Sequence, residues 1–152
     1  LPIFRAMPNT AAGISESMTC ICSNSHDEAT KKEIRSIFDA IGETVEIEEN
    51  LMEAATILGA CGIAYVLRFM RAMVQGGIQI GFDAKTANAI VQQTVKGASE
   101  LLIQNKQHPE FEIDKVTTPK GCTIVGLNEM EHNGFSSSLI KGIKTSLKQI
   151  KG

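Results

Sequence analysis

The chain has 152 residues, 43% hydrophobic and 21% charged, which supports a packed core in one medium domain, or a small domain carrying part of another. Its formal net charge is −2, with Lys and Arg interspersed among Asp and Glu, so no basic face is offered to nucleic acid. The longest uncharged run, Ala54 to Leu67, is 14 residues, short for a bilayer and suited to a buried helix, and "LPIFRAM" lacks the apolar core of a secretory signal.

From the N-terminus the text reads strand, strand, helix, strand. "PIFRAM" and "SMTCICS" are β-type runs separated by the turn-forming "PNTAAG". A chain that opens on Leu1 in a short strand is expected to be a piece of something longer. "SHDEATKKEIRSIFDAI" follows as a helix, with a capping box from Ser25 to Glu28 and an apolar stripe of Ile34, Ile37, Phe38 and Ile41. Gly42 ends it and "TVEIE" is a short strand. So few strands cannot bury both faces alone, and this part is expected to complete a larger sheet.

From Glu49 onward the pattern is helical. "NLMEAATILGA" and "GIAYVLRFMRAMVQGG" are apolar, with a break expected at Gly59 and Gly62. "FDAKTANAIVQQTVKGASELLIQ" starts at an Asp83 cap and carries Ala87, Ile90, Val91, Thr94, Ala98, Leu101 and Leu102 at helical spacing. "HPEFEIDKV" is a short helix with Pro109 near its start. A helix to about His132, the turn "HNGF" and a last helix from Ser136 to Ile150 complete the chain. The stretch "AATILGACGIAYVLRFM" is apolar nearly all round, so it needs cover on more than one side. A partner subunit is the expected cover; the competing reading is a central helix of a monomeric bundle.

Most familiar catalytic patterns are missing. Cys20 and Cys22 share a strand face and lie near His26, but a fourth ligand and C-x-x-C spacing are lacking. The four cysteines read as reduced apolar fillers in a cytosolic protein, and no metal site is expected. "GGIQIG" has the wrong spacing for a phosphate loop, the acids of "EIEEN" read as a solvated helix start, and His26, His108 and His132 read as surface residues.

One segment stands apart. In "VTTPKGCTIVGL", Val116 to Leu127, Pro119 fixes the backbone, Gly121 removes side-chain bulk and helix propensity rises from Cys122. The first amides of a helix lack internal partners and carry partial positive charge. Flanked by the hydroxyls of Thr118 and Thr123, with Lys120 adding charge, they form a socket for a carboxylate or phosphate. Thr-Pro turns also cap ordinary helices, and on residue chemistry alone capping is the favoured reading.

Several separated motifs resemble, in order and spacing, the second half of pyrroline-5-carboxylate reductase. They are "FRAMPNTAAGISESMTCICS", "EENLMEAATILGACGIAYV", "HPEFEIDKVTTPKGCTIVGLNEMEHNGF" and the closing helix, with "MPNT" and "DKVTTPKGCTI" the most specific. The resemblance implies a mainly α fold, a helical dimerisation bundle preceded by a small α/β remnant of a Rossmann-type domain. Residues 1–48 would be the last strands and helix of the dinucleotide-binding domain, and residues 49–152 the all-helical dimerisation and substrate-binding domain.

It also implies an oxidoreductase of proline biosynthesis, reducing 1-pyrroline-5-carboxylate to proline with NADPH or NADH, whose main binding site lies outside this stretch. By itself the stretch is expected to be inactive. In the family the segment matching Thr118, Lys120, Gly121, Cys122 and Thr123 holds the substrate carboxylate, and Thr123 offers its hydroxyl to the ring nitrogen, which reverses the preference for simple capping. Met7, Pro8 and Asn9 match the loop beside the nicotinamide. The implied assembly is a homodimer, in some relatives a ring of dimers, in the cytoplasm, with a small-molecule substrate and neither nucleic acid nor membrane as partner. The competing functions are a non-catalytic helical dimer and an NADP-dependent dehydrogenase acting on another small acid. Two departures stand out: where the family reads S-G-S-G-P-A-Y this chain has "GACGIAY", with Ile63 for proline, and Lys120 replaces a glycine.

Overall fold

The computed structural model describes residues Leu1 to Lys151. The chain divides into two compact units, Leu1–Val66 with the C-terminal end from Lys141, and Leu67–Ile140.

The first unit is built on three strands, β1 (Phe4–Met7), β2 (Ser17–Ser23) and β3 (Gly42–Glu46), in the order β1-β2-β3. The central strand β2 pairs antiparallel with β1, Phe4 opposite Ser23 and Met7 opposite Cys20, and parallel with β3, Ser17 opposite Gly42 and Thr19 opposite Thr44. A parallel pair requires a crossover, and helix α1 (Glu28–Asp39) supplies it. Alternation along β2 buries Ser17, Thr19 and Ile21. Two details differ from the sequence reading. Asp27, not Ser25, caps α1, its carboxylate accepting from the Ala29 and Thr30 amides; Ser25 accepts from the Asp27 amide one turn earlier. Strand β3 begins two residues before "TVEIE". Gly42 does more than end the helix: at φ +147° it pairs against Ser17, where an added Cβ would lie 2.0 Å from the Ser17 carbonyl oxygen.

A 3-10 turn (Glu49–Leu51) leads into α2 (Met52–Ala55), a π segment (Thr56–Cys61) and α3 (Gly62–Gln79). The expected break at Gly59 and Gly62 is absent. Gly62 is helical, at φ −52° and ψ −35°, and with Ile63 in place of proline no amide hydrogen is missing, so the helix widens for one π turn instead of stopping. The resulting 31-residue helix is, by length and composition, long and apolar enough to cross a membrane, which the count of uncharged residues had argued against. Nor is it a buried helix in this chain: 11% of its most apolar window is buried. Near the end of α7 (Phe135–Lys151), Ser146 accepts from Tyr65 Oη at 2.8 Å, tying that helix to α3.

The second unit centres on α3 against α4 (Ala84–Asn105), capped by Asp83 as the sequence indicates. Val74, Ala87 and Val91 form its core, with Met70, Met73 and Val95 packed around them. Gly77 permits the close approach, since a Cβ there would sit 3.2 Å from that of Ala87. One edge of the predicted α4 stripe is buried, whereas Ile90 and Leu101 are about half exposed. Helix α5 (Pro109–Lys115) starts with His108 Nδ1 accepting from the Glu110 amide. Helix α6 (Cys122–His132) follows, and Phe135 at the start of α7 stacks obliquely on Phe69.

Candidate functional site

The segment between α5 and α6 has a defined backbone. The Gly121 amide donates to the Thr118 carbonyl at 2.9 Å, closing a turn with Pro119 at its second position and Lys120, φ +61°, at its third. This is the type II pattern, in which the third position favours glycine. Thr118 folds over the turn so closely that a Cβ on Gly121 would lie 2.5 Å from its Oγ1 and 3.0 Å from its carbonyl oxygen, so any larger residue at 121 forces Thr118 to shift. Gly121 is the N-cap of α6, and among the described residues no side chain caps it. The first-turn amides therefore face outward beside an exposed Cys122 and a half-buried Thr123. Thr118 and Lys120 are exposed, so all five predicted residues lie together on one turn and one helix start.

Met7, Pro8 and Asn9 leave the end of β1, in the first unit. Met7 is half-buried and Pro8 exposed, giving a small apolar edge. Asn9 is already engaged. Its Oδ1 accepts from the Ala11 amide at 3.0 Å, capping the 3-10 turn Thr10–Ile14, and its own amide donates to Ser17 Oγ at 3.0 Å. Its Nδ2 donates to the Gly59 carbonyl in the π segment at 3.4 Å.

The sequence reading missed a cluster at the other end of the sheet. Arg5 and Cys22 are partners across β1 and β2. Glu49, read as solvated, pairs with Arg5 through one carboxylate oxygen and accepts from the Cys22 thiol through the other at 2.8 Å. Those two contacts, the thiol first, hold the Glu49 carboxyl below the usual carboxylate range, while burial and then the same carboxylate push the Cys22 thiol up. No spacing rule links residues 5, 22 and 49; strand register brings them together. All four cysteines are unpaired, and His26, His108 and His132 are exposed.

Residues 49–152 match the family described as pyrroline-5-carboxylate reductase dimerisation. Pyrroline-5-carboxylate reductase 1 of Dictyostelium discoideum is 50% identical over 96% of this chain, which spans 29% of that protein. A pyrroline-5-carboxylate reductase structure from Coxiella burnetii superposes with a TM-score of 0.94 at 28% identity, over 99% of this chain and 56% of that one. The Plasmodium falciparum pyrroline carboxylate reductase, solved with NADP bound, gives 0.90 at 30% identity, over 97% and 60%. The chain belongs to the pyrroline-5-carboxylate reductase family, and it spans less than two thirds of the length of each of these relatives.

Proposed function

We propose that the complete protein carrying this chain reduces 1-pyrroline-5-carboxylate to proline, and that this chain supplies its substrate-binding and dimerising half. The observation that carries the reading is the α6 N-terminus, uncapped by any described side chain and presented by a tight turn in which Thr118 closes over Gly121. Its amides suit the substrate carboxylate, with Thr118 and Lys120 beside them. The Thr123 hydroxyl, one residue into the helix, hydrogen-bonds the ring nitrogen, which takes a proton from solvent as the C=N bond becomes C–N. NADPH or NADH, when bound, supplies the hydride. The half-buried Met7 and exposed Pro8 fit the flat face of a nicotinamide, while the pyrophosphate site belongs to a half that the relatives carry beyond this chain.

On this reading residues 1–48 are the edge of the dinucleotide-binding domain, and residues 49–152 dimerise. The exposed apolar side of Glu49–Gln79 is then covered by a second copy, not by lipid, in the cytoplasm where unpaired cysteines persist. In the complete protein, Thr123→Ala is expected to lower kcat about 10- to 100-fold, equivalent to ~1.4–2.8 kcal/mol of barrier, while the denaturation midpoint moves little. An unchanged kcat removes Thr123 from the mechanism. Absence of NADPH oxidation with pyrroline-5-carboxylate in the wild type removes the reaction itself.

A further inference from the structure

Asn9 sits where three parts of the first unit meet. Its amide donates to Ser17 Oγ, on the central strand. Ser17 is 2% exposed, and its hydroxyl lies 3.3 Å from that of Thr19, which is fully buried. Asn9 Oδ1 takes the Ala11 amide, which fixes the turn that follows. Asn9 Nδ2 reaches the Gly59 carbonyl in the π segment, fifty residues away in sequence. The side-chain oxygen and one of the two Nδ2 hydrogens are thus directed at the protein, alongside the backbone amide.

The π segment gives that third contact its meaning. A π turn places its carbonyls off the regular α-helical ladder, and such turns recur at functional sites because they present backbone groups laterally. Here one carbonyl of that segment, that of Gly59, accepts from the side chain of the residue that ends the Met7–Pro8 edge, at 3.4 Å. We propose that Asn9 is a positioning residue: it clamps the Met7–Pro8 edge to the sheet through Ser17 and to the long helix through Gly59, setting where the edge stands during hydride transfer. The proposal rests on the reductase reading, but the clamp itself is a property of the fold. It assigns Asn9 no contact with cofactor or substrate, which departs from the expectation that Asn9 binds the cofactor.

The test uses three variants of the complete protein. Asn9→Ala removes both side-chain bonds. Asn9→Asp keeps the acceptor for Ala11 and replaces the donor with a carboxylate against the Gly59 carbonyl. Ser17→Ala removes the buried hydroxyl under the Asn9 amide and leaves the side chain intact. Amide hydrogen exchange is read at Thr10–Ile14 and at Thr56–Cys61, together with kcat and KM.

Asn9→Asp is expected to speed exchange at Thr56–Cys61 while leaving Thr10–Ile14 near wild type, and to lower kcat about tenfold with KM for both substrates within threefold. Asn9→Ala should speed exchange in both segments, and Ser17→Ala should share the kcat loss in part. If Asn9→Ala does not fold, the Asp variant still decides the matter. Exchange at Thr56–Cys61 unchanged in Asn9→Asp overturns the clamp. Faster exchange with unchanged kcat overturns its role in the reaction, and a large rise in KM for NADPH with kcat preserved overturns it in favour of direct cofactor contact. An inactive wild type whose exchange responds as described removes the reductase reading and leaves the clamp standing.

Discussion

The sheet of the first unit and the long helix that follows it bury opposite things. Strand β2 hides Ser17 and Thr19 almost completely, small polar groups whose hydroxyls are hydrogen-bonded to each other. The helix leaves Leu58 and Leu67 70% and 58% exposed. Burial of hydrogen-bonded polar groups marks a covered face, whereas exposure of large aliphatic groups, along the helix as at Met18 and Val45 of the sheet, marks a face whose neighbour is missing.

The sharpest way to break the comparison is at its tightest point. Gly42→Ala places a methyl group inside the Ser17 backbone at a φ of +147°, so β3 must leave its register. Loss of roughly 3 kcal/mol or more is expected, read as a collapse in soluble yield and thermal midpoint. A variant as stable as the parent would mean that β2 and β3 do not pair as described.

The opposite kind of change belongs on the helix. In an isolated monomer Leu67→Glu exchanges one exposed side chain for another and should shift stability by no more than ~0.5 kcal/mol. At a dimer face it buries a charge against apolar surface. Its dissociation constant is then expected to rise at least about 100-fold, equivalent to ~2.7 kcal/mol. Light scattering at micromolar concentration reads the result: a mass of two chains, or a multiple of two for rings, in the parent and of one chain in the variant. A parent that is monomeric contradicts the dimer outright.

Much of this was legible beforehand, for reasons that differ by region. Asp83 and Pro109 could be placed because helix starts are local, written within four residues, whereas the His108 cap was not anticipated. The apolar stripe of α4 announced a helix but not which edge of it would be covered, since that depends on a neighbour. Ser25 and Asp27 both obey the N-cap rule two residues apart, and the carboxylate that reaches two amides wins. The break at Gly59 and Gly62 was read from glycine alone, yet glycine only permits a break; proline would have enforced one. The turn at Thr118–Gly121 was visible as chemistry, whereas Arg5, Glu49 and Cys22 were invisible because register, not spacing, assembles them.

Lys120 offers a smaller test within the candidate site. Its left-handed φ costs a non-glycine residue about 1 kcal/mol or somewhat more, so Lys120→Gly should raise stability by that amount, seen as a shift in the urea midpoint without change of slope. Lys120→Ala separates strain from charge. It keeps the strained backbone and discards the ammonium, so a higher KM in both variants would trace to the lost charge, and a change confined to the glycine variant to the relaxed turn.

The smallest expected effect lies in the Glu49 cluster, where the side chain is mostly exposed and solvent screens the pair with Arg5. The folded-state pKa of Glu49 is lowered by the Cys22 hydrogen bond and then by Arg5. The associated stability is therefore present above the ordinary glutamate value, about 4.3, and is lost as pH falls through the lower folded value. Glu49→Gln should be slightly less stable than the parent at pH 7, and the two should converge as pH falls below about 4. Asp27, Asp83 and Glu112 are lowered as well, so both proteins lose stability in acid and the difference between their curves carries the Glu49 share. On the alkaline side the order is reversed: the raised Cys22 thiol favours the folded state below the ordinary thiol range and costs stability above it. Curves for parent and Glu49→Gln that run parallel from pH 7 to pH 3 would show that the carboxylate between β1, β2 and the start of the long helix is not holding them together.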